Sequence, residues 1–223
     1  VNHLAGHIYA NNLENDMKFP LLALIISGGH TDIVYMEDDY KFKVLGGTLD
    51  DAIGEAYDKV ARVLGLKYPG GPNVEKMALN GKPSYKLPIP MNDESLNMSF
   101  SGLKSSIINL VHNETQRNKE INKEDLACSF QTVATDQLVR KLELAIKQTN
   151  IKNIIIAGGV SANQYIRQEV TKLAEKYNAN ISVPKLLYCT DNAAMIGAAA
   201  YPLYLKNEFA DLDLNANPSE ELY

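Results

Sequence analysis

Residues 21–36 read LLALIISGGHTDIVYM, and this stretch decides the fold class. Its first six residues are all apolar, which is typical of a central strand buried on both faces. The glycine-rich turn at residues 27–30 leads into a second predicted strand over 31–36. A third apolar run, at residues 153–157, leads through a Gly-Gly turn into a predicted helix over 163–177. Strands and helices in this succession predict an α/β fold.

The rest of the chain shows mainly helical patterns. Thr48 is the predicted N-cap of a helix that Gly65 ends, because a hydroxyl caps a first turn and glycine adopts the backbone that stops a helix. Residues 68–72 and 84–100, rich in proline, glycine or asparagine, predict loops. Asp191 is predicted to open the last helix. The other predicted elements are helices over residues 1–13, 101–111 and 124–149, a strand over 181–183 and the last helix over 191–206.

Composition excludes several classes of protein. Hydrophobic residues make up 45% and charged residues 22% of the chain, which is ordinary for a globular protein and not for a disordered or fibrous one. The longest apolar run, residues 21–26, is far shorter than the roughly 20 residues of a membrane span. That short run predicts no membrane contact, and two cysteines in a chain of this size predict reduced thiols and a cytoplasmic protein. The net charge of −5, with an acidic and solvated tail predicted over 207–223, means that nucleic acid would need a local patch or a partner.

His3 and His7 are four residues apart on the predicted first helix, so both imidazoles project from one face. At this spacing two helical histidines can bind one transition metal. A chance pair is the alternative interpretation. Leu4 stands where a zincin protease has its glutamate base, so the pair does not indicate a peptidase of that class.

Two glycine-rich turns would let a ligand approach the backbone. The turn at residues 27–31 can point N–H groups at a phosphate, with a plain hairpin as the alternative. The turn at 158–163 opens a helix N-terminus suited to an anion or a ribose, although a simple helix start explains it as well. From pattern alone, Asp58 is a surface acid, Asp191 is an N-cap, and Cys189 lacks a histidine partner that would make it a nucleophile.

Seven short motifs occur in a defined order along the chain. They are HLAGH at residues 3–7, SGGHT at 27–31, GEAYDK at 54–59, YPGGP at 68–72, SFSGLK at 99–104, GGVSAN at 158–163 and CTDNAA at 189–194. Together they resemble one family, the bacterial tRNA N6-adenosine threonylcarbamoyltransferases, formerly described as O-sialoglycoprotein endopeptidases. The resemblance runs from residue 1 to about residue 206.

The resemblance implies an α/β fold of the actin-like ATPase superfold, with two lobes and nucleotide in the cleft between them. The chain would then be a C-terminal lobe plus a remnant of the N-terminal lobe, without the family's first third. The implied division is a remnant with the metal histidines at 1–19, the C-terminal lobe at 20–192 with a helical insertion at about 70–150, a closing helix at 193–206 and the acidic tail at 207–223.

The resemblance also implies a reaction, the transfer of a threonylcarbamoyl group from its adenylate to N6 of adenosine 37 in tRNAs that read codons starting with A. One divalent metal, iron in preference to zinc, is implied at His3, His7 and Asp191. Substrate or nucleotide binding is implied for Ile25, Ile26, Ser27, Gly28, Gly29, Asp58, Gly71, Glu75 and Asn163. No residue matches an established general base. The implied partners are threonylcarbamoyl-adenylate, tRNA, a paralogous actin-like subunit and a P-loop ATPase.

The chain departs from the family pattern in two ways. Ala5 stands where the family commonly has glutamate, and we expect this to weaken an outer contact to the metal site. Without the first third, we expect exposed apolar surface and low or no activity of this chain alone. Three alternatives remain: a metallo-endopeptidase, a non-catalytic nucleotide-binding scaffold, and a sugar kinase of the same superfold, in which the histidine pair would have no role.

Overall fold

A five-stranded mixed sheet forms the centre of the fold. The computed structural model describes residues 1–217 and 222. The strands are β1 Leu21–Ile26, β2 Thr31–Met36, β3 Phe42–Gly47, β4 Asn153–Ala157 and β5 Asn180–Ser182. Their order is β3-β2-β1-β4-β5, with β1 antiparallel to β2 and parallel to β4. The predicted α/β class is confirmed.

Helices cover both faces of this sheet. They are α1 His3–Tyr9, α2 Ile53–Leu64, α3 Gly70–Ala78, α4 Ser101–Gln116, α5 Lys123–Thr149, α6 Gln164–Lys176, α7 Leu186–Cys189 and α8 Ala193–Leu205, with 3₁₀ turns at Ala10–Leu13 and Gly159–Ala162. Within the described ranges, none of these helices combines the length and the apolar character needed to cross a membrane. The division into lobes and insertion stays a prediction.

Strand β1 is buried on both faces, as its sequence predicted. Leu22, Leu24 and Ile26 face the larger apolar core, which includes side chains of α2, α5 and α6. The alternate residues of β1 face a smaller core formed with α1 and Ala199 of α8. Because side chains alternate along a strand, one apolar segment holds the two helical layers together. The carboxyl end of β1 is thereby fixed between them.

Strand β3 and helices α3 and α7 were not predicted. Strand β3 pairs with β2 at the sheet edge, where half-exposed side chains give no clear alternation of apolar and polar residues. The loop predicted at 68–72 is confirmed for residues 68 and 69 and is wrong from Gly70, where α3 already begins. The Asp58 carboxylate accepts a hydrogen bond from the Gly70 N–H at 2.7 Å and so starts that helix. Pro72 fits there because N–H groups of a first turn need no intrahelical partner.

The predicted starts of α2 and α8 are also wrong, by a few residues. Helix α2 begins at Ile53, and the Thr48 hydroxyl donates instead to the carbonyl of Asp51 at 2.8 Å. Helix α8 is capped by Asn192, whose side-chain oxygen accepts from the Met195 N–H at 2.9 Å. The predicted stop at Gly65 is confirmed, with a φ of 79°. Because Asn192 performs the capping, the Asp191 carboxylate is not needed for it.

The tail prediction is confirmed for residues 207–217, which are exposed, and it is wrong for Leu222. Leu222 is buried in the smaller apolar core, because an apolar side chain gains free energy by leaving water. Residues 218–221 and 223, which include two of the five acids of the tail, lie outside the described residues. On α8 the side chains of Tyr201, Tyr204 and Leu205 are exposed, and a link between such exposure and an absent segment stays a prediction.

Candidate functional site

Three potential metal ligands converge at the junction of α1 and α8. The Nε2 atoms of His3 and His7 lie 3.4 Å and 3.1 Å from Oδ1 of Asp191. The potential ligand atoms of the three residues all lie within 4.8 Å of one another. The helical spacing of the histidines therefore produces the shared face that the sequence predicted, and the fold adds a carboxylate to it.

Close packing of α1 against α8 creates this junction. A Cβ atom at Gly6 would lie only 3.0 Å from Cδ1 of Ile196, so the missing side chain allows the two helices to approach. Asn2 begins α1 by accepting hydrogen bonds from the N–H groups of Leu4 and Ala5. Ala5 itself is fully buried in the smaller apolar core. The effect of alanine at this position stays a prediction.

The environment of His7 favours the neutral imidazole. The ring is buried, and this burial, followed by the nearby His3 ring, lowers the pKa of His7, while Asp191 partly opposes the shift. Nδ1 of His7 is buried and has no hydrogen-bond partner among the described residues. A neutral imidazole is the form that binds a metal. Nε2 is the nitrogen that faces the Asp191 carboxylate.

Gly28 and Gly29 form an open turn that ends at His30, and His30 lies near enough to the cluster to contribute to the lowered pKa of His7. A Cβ atom on either glycine would meet no described atom within 4 Å, and neither residue has a positive φ. The Ser27 side chain shapes the turn by accepting from the His30 N–H at 3.0 Å. Neither packing nor backbone conformation therefore requires these glycines. Close approach by something outside the chain would explain them.

The two glycine-rich turns meet where the neighbouring strands β1 and β4 end, at the carboxyl ends of these strands. Strands β1 and β4 are parallel, and Ile26 and Ala157 end them on the same side. Gly158 has a φ of 91°, and a Cβ atom there would lie 2.4 Å from the carbonyl oxygen of Ile26. Ligands of open α/β sheets bind at the carboxyl ends of parallel strands. The open turn thus occupies the usual place of a ligand site.

Three other predicted substrate residues are engaged within the protein. Asp58 holds the start of α3, and Glu75 accepts from the Gln164 N–H at 2.6 Å at the start of α6. Asn163 caps α6 through its side-chain oxygen, and its amide nitrogen donates to Gln131. Gly71 again has open space where a Cβ atom would stand. These contacts arrange α3 and α6 around one region, and the binding roles stay predictions.

The sequence did not single out Asn11, which positions the histidine helix. Its buried amide nitrogen donates to the carbonyl of Ile156 in β4 at 3.0 Å, and its oxygen accepts from the Ser182 hydroxyl of β5 at 3.1 Å. These bonds tie the end of α1 to the sheet. In the sequence Asn11 stands beside a second asparagine, and no pattern distinguishes the two.

The fold and the site together define a class, namely α/β proteins with a two-histidine, one-aspartate cluster beside a glycine-rich turn at the edge of a mixed sheet. Residues 1–198 match the family model of tRNA N6-adenosine threonylcarbamoyltransferase. The chain belongs to this family. It is 48% identical to the enzyme of that name from Halalkalibacterium halodurans and 49% identical to that from Staphylococcus carnosus, over its whole length. The chain spans 65% of the length of each of these relatives.

Solved structures show the wider fold relationship. Full-length HypF in the phosphate- and nucleotide-bound form has a TM-score of 0.69 at 13% identity, covering 92% of this chain and 36% of HypF. The activator of the 2-hydroxyisocaproyl-CoA dehydratase from Clostridium difficile, with bound ADPNP, has a TM-score of 0.52 at 15% identity, covering 94% of this chain and 71% of the activator. These likenesses concern the fold alone, and the predicted actin-like ATPase superfold is confirmed.

Proposed function

We propose that this chain transfers a threonylcarbamoyl group from threonylcarbamoyl-adenylate to N6 of adenosine 37 in tRNAs that read codons starting with A, with release of AMP. Family membership supports the reaction. The observation that carries the proposal is the convergence of His3, His7 and Asp191, with the open Gly28-Gly29 turn ending at His30, which lies near enough to His7 to contribute to its lowered pKa. A metal site near an open glycine turn suits an acyl-adenylate, whose phosphate joins the acyl group to the nucleoside.

The residues present fit one divalent metal, with iron preferred to zinc. Two imidazoles and one carboxylate are a common ligand set for non-haem iron, and zinc accepts the same donors. The contacts of 3.1 Å and 3.4 Å to Asp191 resemble the separation of about 3 to 3.5 Å between neighbouring ligands of such an ion. When bound, the metal would supply a Lewis acid that polarises an oxygen of the adenylate.

The chain's own groups would bind and orient the adenylate. Gly28 and Gly29 leave room for the phosphate, and their lack of side chains lets the backbone approach it closely. Asp58 and Glu75 each use one carboxylate oxygen within the protein, and we propose that they also accept hydrogen bonds from ribose hydroxyls. Neutral His7 would keep its Nε2 lone pair available. No general base is assigned.

The proposed partners follow from the same family. They are tRNA, a paralogous actin-like subunit and a P-loop ATPase, in the cytoplasm. The net charge of −5 gives no general attraction for RNA, so tRNA would be held by a local patch or by a partner. The metallo-endopeptidase alternative gains no support, because Leu4, at the position of the protease base, is an apolar side chain.

Nucleoside mass spectrometry of unmodified tRNA tests the proposal. The chain is incubated with threonylcarbamoyl-adenylate, Fe²⁺ and the partner proteins, with and without the part of the Halalkalibacterium relative that this chain does not span. The complete relative is the positive control. We expect metal-dependent threonylcarbamoyl-adenosine, lost in Asp191→Ala and kept in Asp211→Ala, with little product from the chain alone. No product in either mixture, while AMP still binds, would contradict the transferase and support the non-catalytic scaffold.

A further inference from the structure

We propose that Arg167 is a positioning residue that couples the nucleotide side of this site to its metal side, an inference that rests on the proposed function. Arg167 lies in the first turn of α6 and donates to acceptors on two separate segments. Its Nε donates to the carbonyl of Ser161. One Nη donates to the carbonyl of Pro184 at 2.8 Å and to Sγ of Cys189 at 2.9 Å.

The acceptors of this one guanidinium belong to two segments, one in the 158–163 turn and one that leads to Asp191. Ser161 lies in the 3₁₀ turn that follows Gly158, the turn that meets the end of β1. Pro184 and Cys189 bracket α7, and Asp191 follows Cys189 by two residues. The segment that carries the metal carboxylate is therefore held by the same side chain as the glycine-rich turn.

A second contact links this segment to the histidine helix. Glu14, directly after the 3₁₀ turn that continues α1, accepts from the Lys185 N–H at 3.2 Å and forms an ion pair with the Lys185 ammonium group. The start of the 184–191 segment is thus held between Glu14 on one side and Arg167 on the other. A movement of Ser161 would therefore be transmitted through the Arg167 guanidinium to the segment that carries Asp191.

The geometry of arginine makes this coupling specific. A guanidinium is planar, and its N–H groups point in fixed directions, so one side chain can satisfy three divergent acceptors at once. Cys189 is fully buried, which keeps its sulfur in place as one of them. A lysine would retain the charge but present a single nitrogen. A lysine at position 167 would therefore bind either the 158–163 turn or the 184–191 segment, and not both.

Coupled segments make two binding events cooperative. A nucleotide that orders the 158–163 turn would fix the Ser161 carbonyl, the guanidinium and the 184–191 segment together. A metal that binds afterwards would lose less conformational entropy in ordering Asp191. By linkage, the metal must raise the nucleotide affinity by the same factor.

Paired titrations of the chain with Co²⁺ and AMP test this inference. The Co²⁺ dissociation constant is measured from the visible absorption of the bound ion, with and without saturating AMP, and the AMP dissociation constant with and without Co²⁺. We expect a reciprocal factor of at least about fivefold in the unmodified chain. In Arg167→Lys we expect the factor to fall below about twofold, whereas Arg117→Lys, an exposed control, keeps it. Hydrogen exchange should show that AMP protects residues 184–191 in the unmodified chain and not in Arg167→Lys.

Each other outcome overturns a different part of the inference. If the unmodified chain binds both ligands independently, the coupling is wrong while the proposed site stands. If Arg167→Lys keeps the full factor, coupling exists but does not pass through this side chain. If the unmodified chain binds neither Co²⁺ nor AMP, the proposed function fails and the coupling fails with it. A purely structural role would lower the melting temperature of Arg167→Lys and leave the factor unchanged.

Discussion

Asp51 and Asp191 each meet two nitrogen-bearing side chains, yet the two carboxylates differ in almost every other respect. Asp51 is 13% exposed and pairs with Lys104 at 2.6 Å and Lys59 at 3.0 Å. Burial alone would raise the pKa of Asp51, but the two lysines outweigh it and hold the pKa below 3.8. Asp191 is 75% exposed and faces His3 and His7.

The comparison indicates that the Asp51 carboxylate joins two helices, whereas the Asp191 carboxylate is available to a ligand. Asp51, just before α2, connects that helix to Lys104 in the first turn of α4, and its charge is balanced by the protein. At Asp191 the partners are imidazoles, one of them buried with a lowered pKa, so the protein supplies little balancing charge. A cation from solution would complete the second site and has no comparable role at the first.

The largest expected effect is on metal binding at Asp191. Asp191→Ala should weaken Co²⁺ binding at least about 100-fold, since it removes one of the three proposed ligands and even an outer-sphere partner accounts for 10- to 100-fold. The free energy of unfolding should change by less than about 0.5 kcal/mol, because the side chain is exposed. Absorption titration and urea unfolding measure the two quantities, with Asp211→Ala as control. Loss of stability without loss of Co²⁺ binding would show that Asp191 is a structural residue like Asp51.

Alanine substitutions at Gly54 and Gly29, two glycines near Ser27, should have opposite effects on stability and on AMP binding. A Cβ atom at Gly54 would lie 2.5 Å from the Ser27 carbonyl oxygen, so Gly54→Ala should cost roughly 2–3 kcal/mol of stability through overpacking. Gly29→Ala meets open space and should leave stability within about 0.5 kcal/mol. It should weaken AMP binding about tenfold, equivalent to about 1.4 kcal/mol. Calorimetry and urea unfolding check both, and unchanged AMP affinity in Gly29→Ala would remove the argument for a ligand at this turn.

Asp51→Asn tests the structural carboxylate and its pH dependence. It should reduce the free energy of unfolding by about 1–3 kcal/mol at pH 7, because two partly buried lysines lose their charged acceptor. The folded-state pKa of Asp51 is lowered, so its contribution is complete above the unfolded value of 3.8 and is lost as the pH falls through the folded value. Urea unfolding between pH 7 and pH 3 should show the two proteins converging at the acid end. A constant difference at all pH values would assign the loss to something other than this charge.

The smallest expected effect concerns Asn192, the neighbour of the proposed metal ligand Asp191. Asn192→Ala removes the cap of α8 and should cost about 1 kcal/mol, whereas Asn192→Asp should restore most of it. Neither change should alter Co²⁺ affinity more than about twofold if Asn192 serves the helix and Asp191 serves the metal. Thermal unfolding and absorption titration measure these effects. A larger loss of stability from Asp191→Ala than from Asn192→Ala would reverse the assignment.

Local patterns predicted much of the fold because they follow from short-range geometry. The continuous apolar run of β1, the long helix α5 and the stop at Gly65 each depend on neighbouring residues, and each is confirmed. Strand β3 was missed because an edge strand with half-exposed side chains lacks a clear period. The loop predicted at 68–72 was wrong from residue 70 onward because the group that starts α3 there belongs to another helix.

The residues of the candidate site also fall into two groups, those predicted from local spacing and those whose roles depend on distant contacts. The spacing of His3 and His7 places both rings on one helix face without any knowledge of the fold. Sequence alone left Asp58 as a surface acid, whereas the structure shows its carboxylate holding the start of α3. Arg167 carried no signal at all, since an arginine in the first turn of an amphipathic helix is ordinary until its acceptors are known.

The sequence by itself determined the α/β class, the all-buried central strand, the histidine pair and, through seven ordered motifs, the family. These depend on periodicity and on short spacings, which a chain carries before it folds. Only the tertiary structure showed how closely Asp191, which the resemblance had implied, approaches the histidines, and that Gly28 opens to solvent while Gly54 packs against Ser27. Each depends on segments distant in sequence, whose approach is set by helices α1, α2 and α8 packing on the two faces of one sheet.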